Sequence, residues 1–111
     1  MEQERRRSPR YPFIATAEVL ENPSSTSIAA RVTELSLYGC YLEMTNPFEK
    51  GMKAKVKIYA EGKFFEAQAT VVYSQPNQGI GVSFQNVYPH FQLVLKQWLI
   101  EAAHARFGKK S

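Results

Sequence analysis

Apolar and polar residues alternate along most of this chain. From Phe13 the apolar positions fall at every second residue, at Phe13, Ala15, Ala17 and Val19, with Thr16 and Glu18 between them. A period of two puts one set on a single face, so the stretch predicts a half-buried strand. Asn22-Pro23-Ser24-Ser25 reads as a turn. A second strand is predicted over Ile28–Leu35. A third, Cys40–Thr45, sets Cys40, Leu42 and Met44 on one face. Asn46-Pro47 and Lys50-Gly51 then interrupt the pattern. Lys53–Ala60 alternates cleanly, with Lys53, Lys55 and Lys57 outward and Ala54, Val56, Ile58 and Ala60 inward. Glu61-Gly62 signals a tight hairpin. Phe64–Tyr73 predicts the longest strand, with Phe65, Ala67, Ala69, Val71 and Tyr73 on one side. After the turn Gln75-Pro76-Asn77-Gln78-Gly79, a sixth strand over Gly79–Phe84 turns Ile80, Val82 and Phe84 to one face.

The period changes near the end. Phe91, Val94, Leu95, Trp98, Leu99 and Ala102 recur at steps of three and four. Pro89 suits a first helical residue and Gly108 a stop, so an amphipathic helix is predicted over about residues 89–106. Six short strands followed by one helix predict a small all-β antiparallel barrel, its helix packed on an open end or side.

With 111 residues, the chain fits one domain. The expected division is a basic arm over residues 1–11, the barrel and helix over 12–108, and a short tail over 109–111. The arm, MEQERRRSPR onward, has no apolar periodicity and is expected to be mobile in the free protein. The net charge is +4, and it sits at the ends: residues 1–10 and residues 101–111 each carry +2, whereas residues 11–100 balance. Basic ends on a neutral body suit a phosphate-bearing partner, an anionic surface, or solubility alone.

Several chemistries are disfavoured. All ten acidic residues are Glu, which excludes Asp-based loops, dyads and triads. His90 and His104 are too far apart for an HExxH-type metal site. One cysteine, Cys40, cannot form an internal disulfide, and its place beside Leu42 and Met44 reads as a small buried hydrophobe. No apolar run approaches the ~18 residues of a membrane span. The expectations are a cytoplasmic protein that is not an enzyme and carries no metal or cofactor.

Two motifs stand out once the strands are placed. Arg6-Arg7-Ser8-Pro9-Arg10 has RxxxR spacing just before the first strand. Glu34-Leu35-Ser36-Leu37-Tyr38-Gly39 lies between the second and third strands. With the later Gly79-Ile80-Gly81-Val82-Ser83-Phe84 strand, they resemble the PilZ domain family over nearly the whole chain. That family's pattern is RxxxR, then (D/N)xSxxG, on a six-stranded split barrel.

The resemblance implies a bacterial receptor for cyclic di-GMP, in which Arg6 and Arg10 hold the ligand and Glu34, Ser36 and Gly39 line the opposite wall. Arg7 and Gly81 are further candidates. The chemistry is coherent. A guanidinium forks onto a phosphate or onto guanine O6 and N7, and it stacks on a purine face. A carboxylate matches the guanine N1–H and amino donors, Ser36 offers a hydroxyl to a phosphate or guanine, and Gly39 permits a close approach or a positive φ. Glu34 departs from the family's Asp or Asn, and its extra methylene moves the carboxylate by about 1.5 Å. The residue before RxxxR is Arg5, and by resemblance an arginine there favours an intercalated pair of ligand molecules over one. The implied output, in motility, biofilm or surface regulation, passes through an unidentified protein effector.

On the residues alone, other readings stay open. Arg6 and Arg10 also suit a solvated arm, Glu34 a strand-end carboxylate, Ser36 and Gly39 a plain tight turn, and Gly79 and Gly81 strand geometry. A barrel that has lost its nucleotide and acts only by protein contact is the alternative function. Single-stranded nucleic acid stacked on Tyr11, Tyr38 and Tyr41 is disfavoured, because the body carries no net positive charge.

Overall fold

The computed structural model describes residues 9–21 and 26–108. Arg5, Arg6 and Arg7, the expected turn at residues 22–25 and the tail at 109–111 lie outside them. The elements run β1 (Tyr11–Leu20), β2 (Ile28–Leu35), β3 (Gly39–Glu43), β4 (Lys53–Ala60), β5 (Lys63–Gln75), β6 (Gly79–Gln85) and α1 (Pro89–Gly108). All six expected strands and the helix are present. β2 and β4 have the expected bounds, and the other elements differ by one or two residues at an end.

The strands close into an antiparallel barrel in the order β1-β2-β3-β6-β5-β4, with β4 returning to pair with β1. Closure leaves no free sheet edge. The period-two pattern fills the interior: Ala17, Val19, Val32, Leu35, Leu42, Val56, Ile58, Phe65 and Ile80 have essentially no exposed surface. Each large apolar side chain buried this way contributes about 1.5–3 kcal/mol. Lys53 lies exposed on the outer face, and Lys55, half-buried there, meets Glu66 at 3.2 Å. Residues Glu61 and Gly62 make the two-residue β4–β5 turn, both with positive φ, 54° and 76°. That geometry follows the twist of the flanking strands.

The helix closes one mouth of the barrel. Its first intrahelical bond runs from the Gln92 N–H to the Tyr88 carbonyl at 2.9 Å, with Pro89 in the first turn. Phe91 packs against Phe64 and Phe65, and fully buried Trp98 packs against Phe13 with ring centroids 5.4 Å apart. The expected apolar stripe is thus the packed one, while Leu93 and Ile100 face solvent. The mouth that α1 covers is formed by the starts of β1, β3 and β5 and the ends of β2, β4 and β6. No helix among the described residues is long and apolar enough to cross a membrane.

Candidate functional site

The start of β1 runs antiparallel to the end of β2, with Tyr11 opposite Leu35 and Pro12 opposite Glu34. Arg10, the last basic residue before β1, is thereby delivered to the strand end that carries Glu34 and leads to Ser36. Arg10 Nη1 lies 3.9 Å from Glu34 Oε1, and the two side chains are 53% and 52% exposed. At that distance and exposure the pair contributes at most about 1 kcal/mol. A ligand competing for either group therefore displaces little.

Glu34 faces outward because β2 carries a bulge. Val32 pairs with Leu42 and Glu34 with Tyr41, so two steps on β2 answer one on β3. Val32 and Leu35, three residues apart, are both buried, and Glu34 between them is exposed. A regular strand would have turned Glu34 into the core.

Ser36 organises the next turn. Among the described residues it is the one buried polar side chain. Its N–H donates to the Gly39 carbonyl at 2.9 Å. Its hydroxyl donates to the same carbonyl and accepts the N–H groups of Tyr38 and Gly39, each at 3.2 Å. One proton and two lone pairs are the whole capacity of a hydroxyl. Ser36 thus shapes the loop from within while it also lines the pocket. Gly39 serves the close approach of two strands and not a left-handed turn. A Cβ there would run into the Val82 carbonyl oxygen of β6.

A second bulge builds the far wall. Val71 pairs with Val82 and Tyr73 with Gly81, which leaves Val72 as the extra residue on β5. The alternation of Phe65, Ala67, Ala69 and Val71 therefore stops there. Tyr73, expected on that inner face, turns outward and is 38% exposed. Its ring lies over Gly81, where a Cβ would sit 2.5 Å from Tyr73 Cε2 and Cζ. Tyr41 pairs with Gly81 from the other side. The Tyr41 and Tyr73 rings stack with centroids 6.1 Å apart and planes 28° from parallel. The Tyr41 hydroxyl donates to Gln75 Oε1 at 2.6 Å. Burial, then the neighbouring Tyr73 and Glu43, push the Tyr41 phenol up, so it stays a neutral donor at physiological pH.

Arg10, Glu34, Ser36, Gly39 and Gly81 thus come together on one open pocket, with Tyr38, Tyr41 and Tyr73 beside them. Cys40 lies under it; burial pushes its thiol well above the ordinary range, which makes it inert as a nucleophile. Tyr73 is the pocket residue that strand alternation misplaces. The adjacent valines Val71-Val72, followed by Tyr73 opposite Gly81 of β6, are the signal that could have found it.

Among the described residues, a six-stranded closed barrel with a C-terminal helix and an arginine set against the β2–β3 turn defines a class of β-barrel domain. The PilZ domain model matches residues 4–101, and the chain belongs to the PilZ domain family. Among solved structures, it is similar to the PilZ domain with c-di-GMP of YcgR from Escherichia coli. The TM-score is 0.75 at 17% identity, over 96% of this chain and 97% of that one. It is also similar to the Bacillus subtilis inhibitor of motility MotI/DgrA, with a TM-score of 0.73 at 14% identity. That match covers 90% of this chain and 52% of the other, so this chain spans about half of that protein. The PilZ domain of CeSA from a cellulose-synthesizing bacterium gives 0.69 at 16% identity, over 87% and 100% of the two chains. At these identities the likeness is one of fold. No curated protein matches.

Proposed function

We propose that this chain is a receptor for cyclic di-GMP that signals by protein contact and performs no catalytic step. The observation that carries the proposal is the strand register, which sets Arg10 against Glu34 and the 36–39 turn in one pocket. Family membership supports it, as does the YcgR PilZ domain, a relative in fold whose structure includes c-di-GMP. Arg10 and Arg6 supply planar donor forks for phosphate and guanine. Glu34 accepts from the guanine N1–H and amino group. Ser36 and Gly39 hold the turn that aims Glu34. Arg5 adds a third guanidinium, which suits a pair of ligand molecules, and Arg7 extends the same charge. Binding draws the basic arm onto the barrel. The ligand's greater affinity for this closed state sets how far the population shifts. The closed surface then engages a protein effector, in motility, biofilm or surface regulation.

The test is a fluorescence-polarisation titration with labelled cyclic di-GMP on wild type, Arg10→Ala and Glu34→Ala. Losing a charge-assisted hydrogen bond of about 1.5–3 kcal/mol predicts roughly ten- to a hundredfold weaker binding for each variant, with unchanged melting. Equal binding by all three proteins would sink the proposal.

A second reading, a barrel that no longer takes nucleotide and acts only as an adaptor, is favoured by one observation. Glu34 replaces the family's shorter acidic or amide residue and lies beside Arg10. Absent binding in wild type, recovered by Glu34→Asp, would support it.

A further inference from the structure

Helix α1 is apolar on two opposite sides. Phe91, Leu95 and Trp98 are buried against the barrel. Leu93 and Ile100, on the other side, are 69% and 62% exposed. They stand seven residues apart, and Phe107 falls at the next step of seven within the same helix. A line of apolar residues at that spacing is the seam of a two-helix pair. Beside this line run His90, Gln97 and His104, again at steps of seven, and the exposed Lys96 and Glu101 flank it on opposite sides.

The flanks select what can cover the seam. In a parallel pair of helices, a flanking residue of one meets the opposite flank of the other about five positions further along. Lys96 and Glu101 stand at that spacing. Two copies of this helix side by side therefore set Lys96 of each against Glu101 of the other. An antiparallel pair would bring like flanks together, lysine to lysine and glutamate to glutamate. The surroundings of Glu101 favour a further cation. Gln97 Nε2 donates to its Oε2 at 3.1 Å. Glu61 of the β4–β5 turn hydrogen-bonds Glu101, which pushes the Glu61 carboxyl up. Two carboxyls thus meet with Lys63 as the nearby cation among the described residues.

We infer that the outer face of α1 is a self-association surface on which a second copy of this chain lays its own α1 in parallel, with Leu93 and Ile100 in the seam and reciprocal Lys96–Glu101 pairs at its edges. The contact is isologous, with the twofold axis along the helices and the two barrels on opposite sides. Gln97 meets its counterpart across the seam. A polar residue there fixes register and the number of strands at a cost in affinity, so the association is reversible. It rests on none of the pocket residues and goes beyond the cyclic di-GMP proposal.

The experiment is sedimentation velocity of the full chain, without nucleotide, from micromolar to near-millimolar concentration. Wild type should pass from monomer to dimer as concentration rises. Ile100→Ser removes a seam side chain from each copy and should weaken association more than about a hundredfold. Lys96→Glu and Glu101→Lys each turn two attractive pairs repulsive and should weaken it by several-fold to about a hundredfold. These positions are exposed, so thermal melts of the dilute variants should match wild type. The two charge variants mixed in equal amounts should dimerise again, because each glutamate of one then faces a lysine of the other. That recovery also shows that both variants are folded. A wild type that stays monomeric throughout would overturn the proposal and leave the face to a different protein. Charge variants that dimerise as wild type does, a mixture that does not recover, or assembly beyond the dimer would overturn it too. Absence of cyclic di-GMP binding would sink the receptor proposal and leave this one standing.

Discussion

Ser36 uses its whole hydrogen-bonding capacity on three backbone groups, so its hydroxyl works by holding the 36–39 turn. Ser36→Ala leaves buried backbone groups short of partners and should lower stability by about 1–3 kcal/mol. That appears as a lower urea midpoint at unchanged slope. Cys40 makes a different prediction. Burial raises its folded thiol pKa above the ordinary 9.0. Above that value the unfolded chain releases a proton that the folded chain keeps, so stability falls as pH rises, by up to about 1.4 kcal/mol per pH unit. Below it, both states hold the proton and the group contributes no slope. Urea melts of wild type and Cys40→Ala should therefore run parallel from about pH 6 to 8 and converge or cross above about pH 9. Parallel curves up to about pH 10.5 would contradict the burial argument.

The strands and helix were legible because their periods are clean. Lys53–Ala60 and Phe91–Ala102 bury or half-bury the side chains that spacing assigns to the core. The motif residues Arg10, Glu34, Ser36 and Gly39 were legible as a set, and the β1–β2 register is what makes them neighbours. What alternation alone could not show were the bulges. One extra residue reverses every later face of a strand, and nothing in a strict period of two announces it. Tyr73 was misplaced for this reason. The role of Ser36 was obscured for another: whether a hydroxyl points into a turn or into a pocket depends on local backbone geometry. At this scale the helix is a stopper for the barrel mouth. Trp98→Ala empties the space beside Phe13 and should cost about 3–5 kcal/mol, whereas the exposed Leu93→Ala should stay within about 0.5 kcal/mol. Denaturant melts of the two variants check the contrast.

The molecule as a whole pairs a neutral barrel with basic ends. A dianionic ligand drawn to those ends should bind more weakly as ionic strength rises. On the proposed contact of Glu34 with guanine, binding should be selective for the base and not only for the charge. Both properties meet in one titration: calorimetry of the full chain with cyclic di-GMP, set against cyclic di-AMP and GTP at the same salt. Saturable heat with cyclic di-GMP alone is the predicted result, and a stoichiometry near two would match the arginine before RxxxR. No heat with cyclic di-GMP, together with no displacement of a labelled sample of it, or equal binding of all three nucleotides, would contradict a receptor built on Arg10 and Glu34.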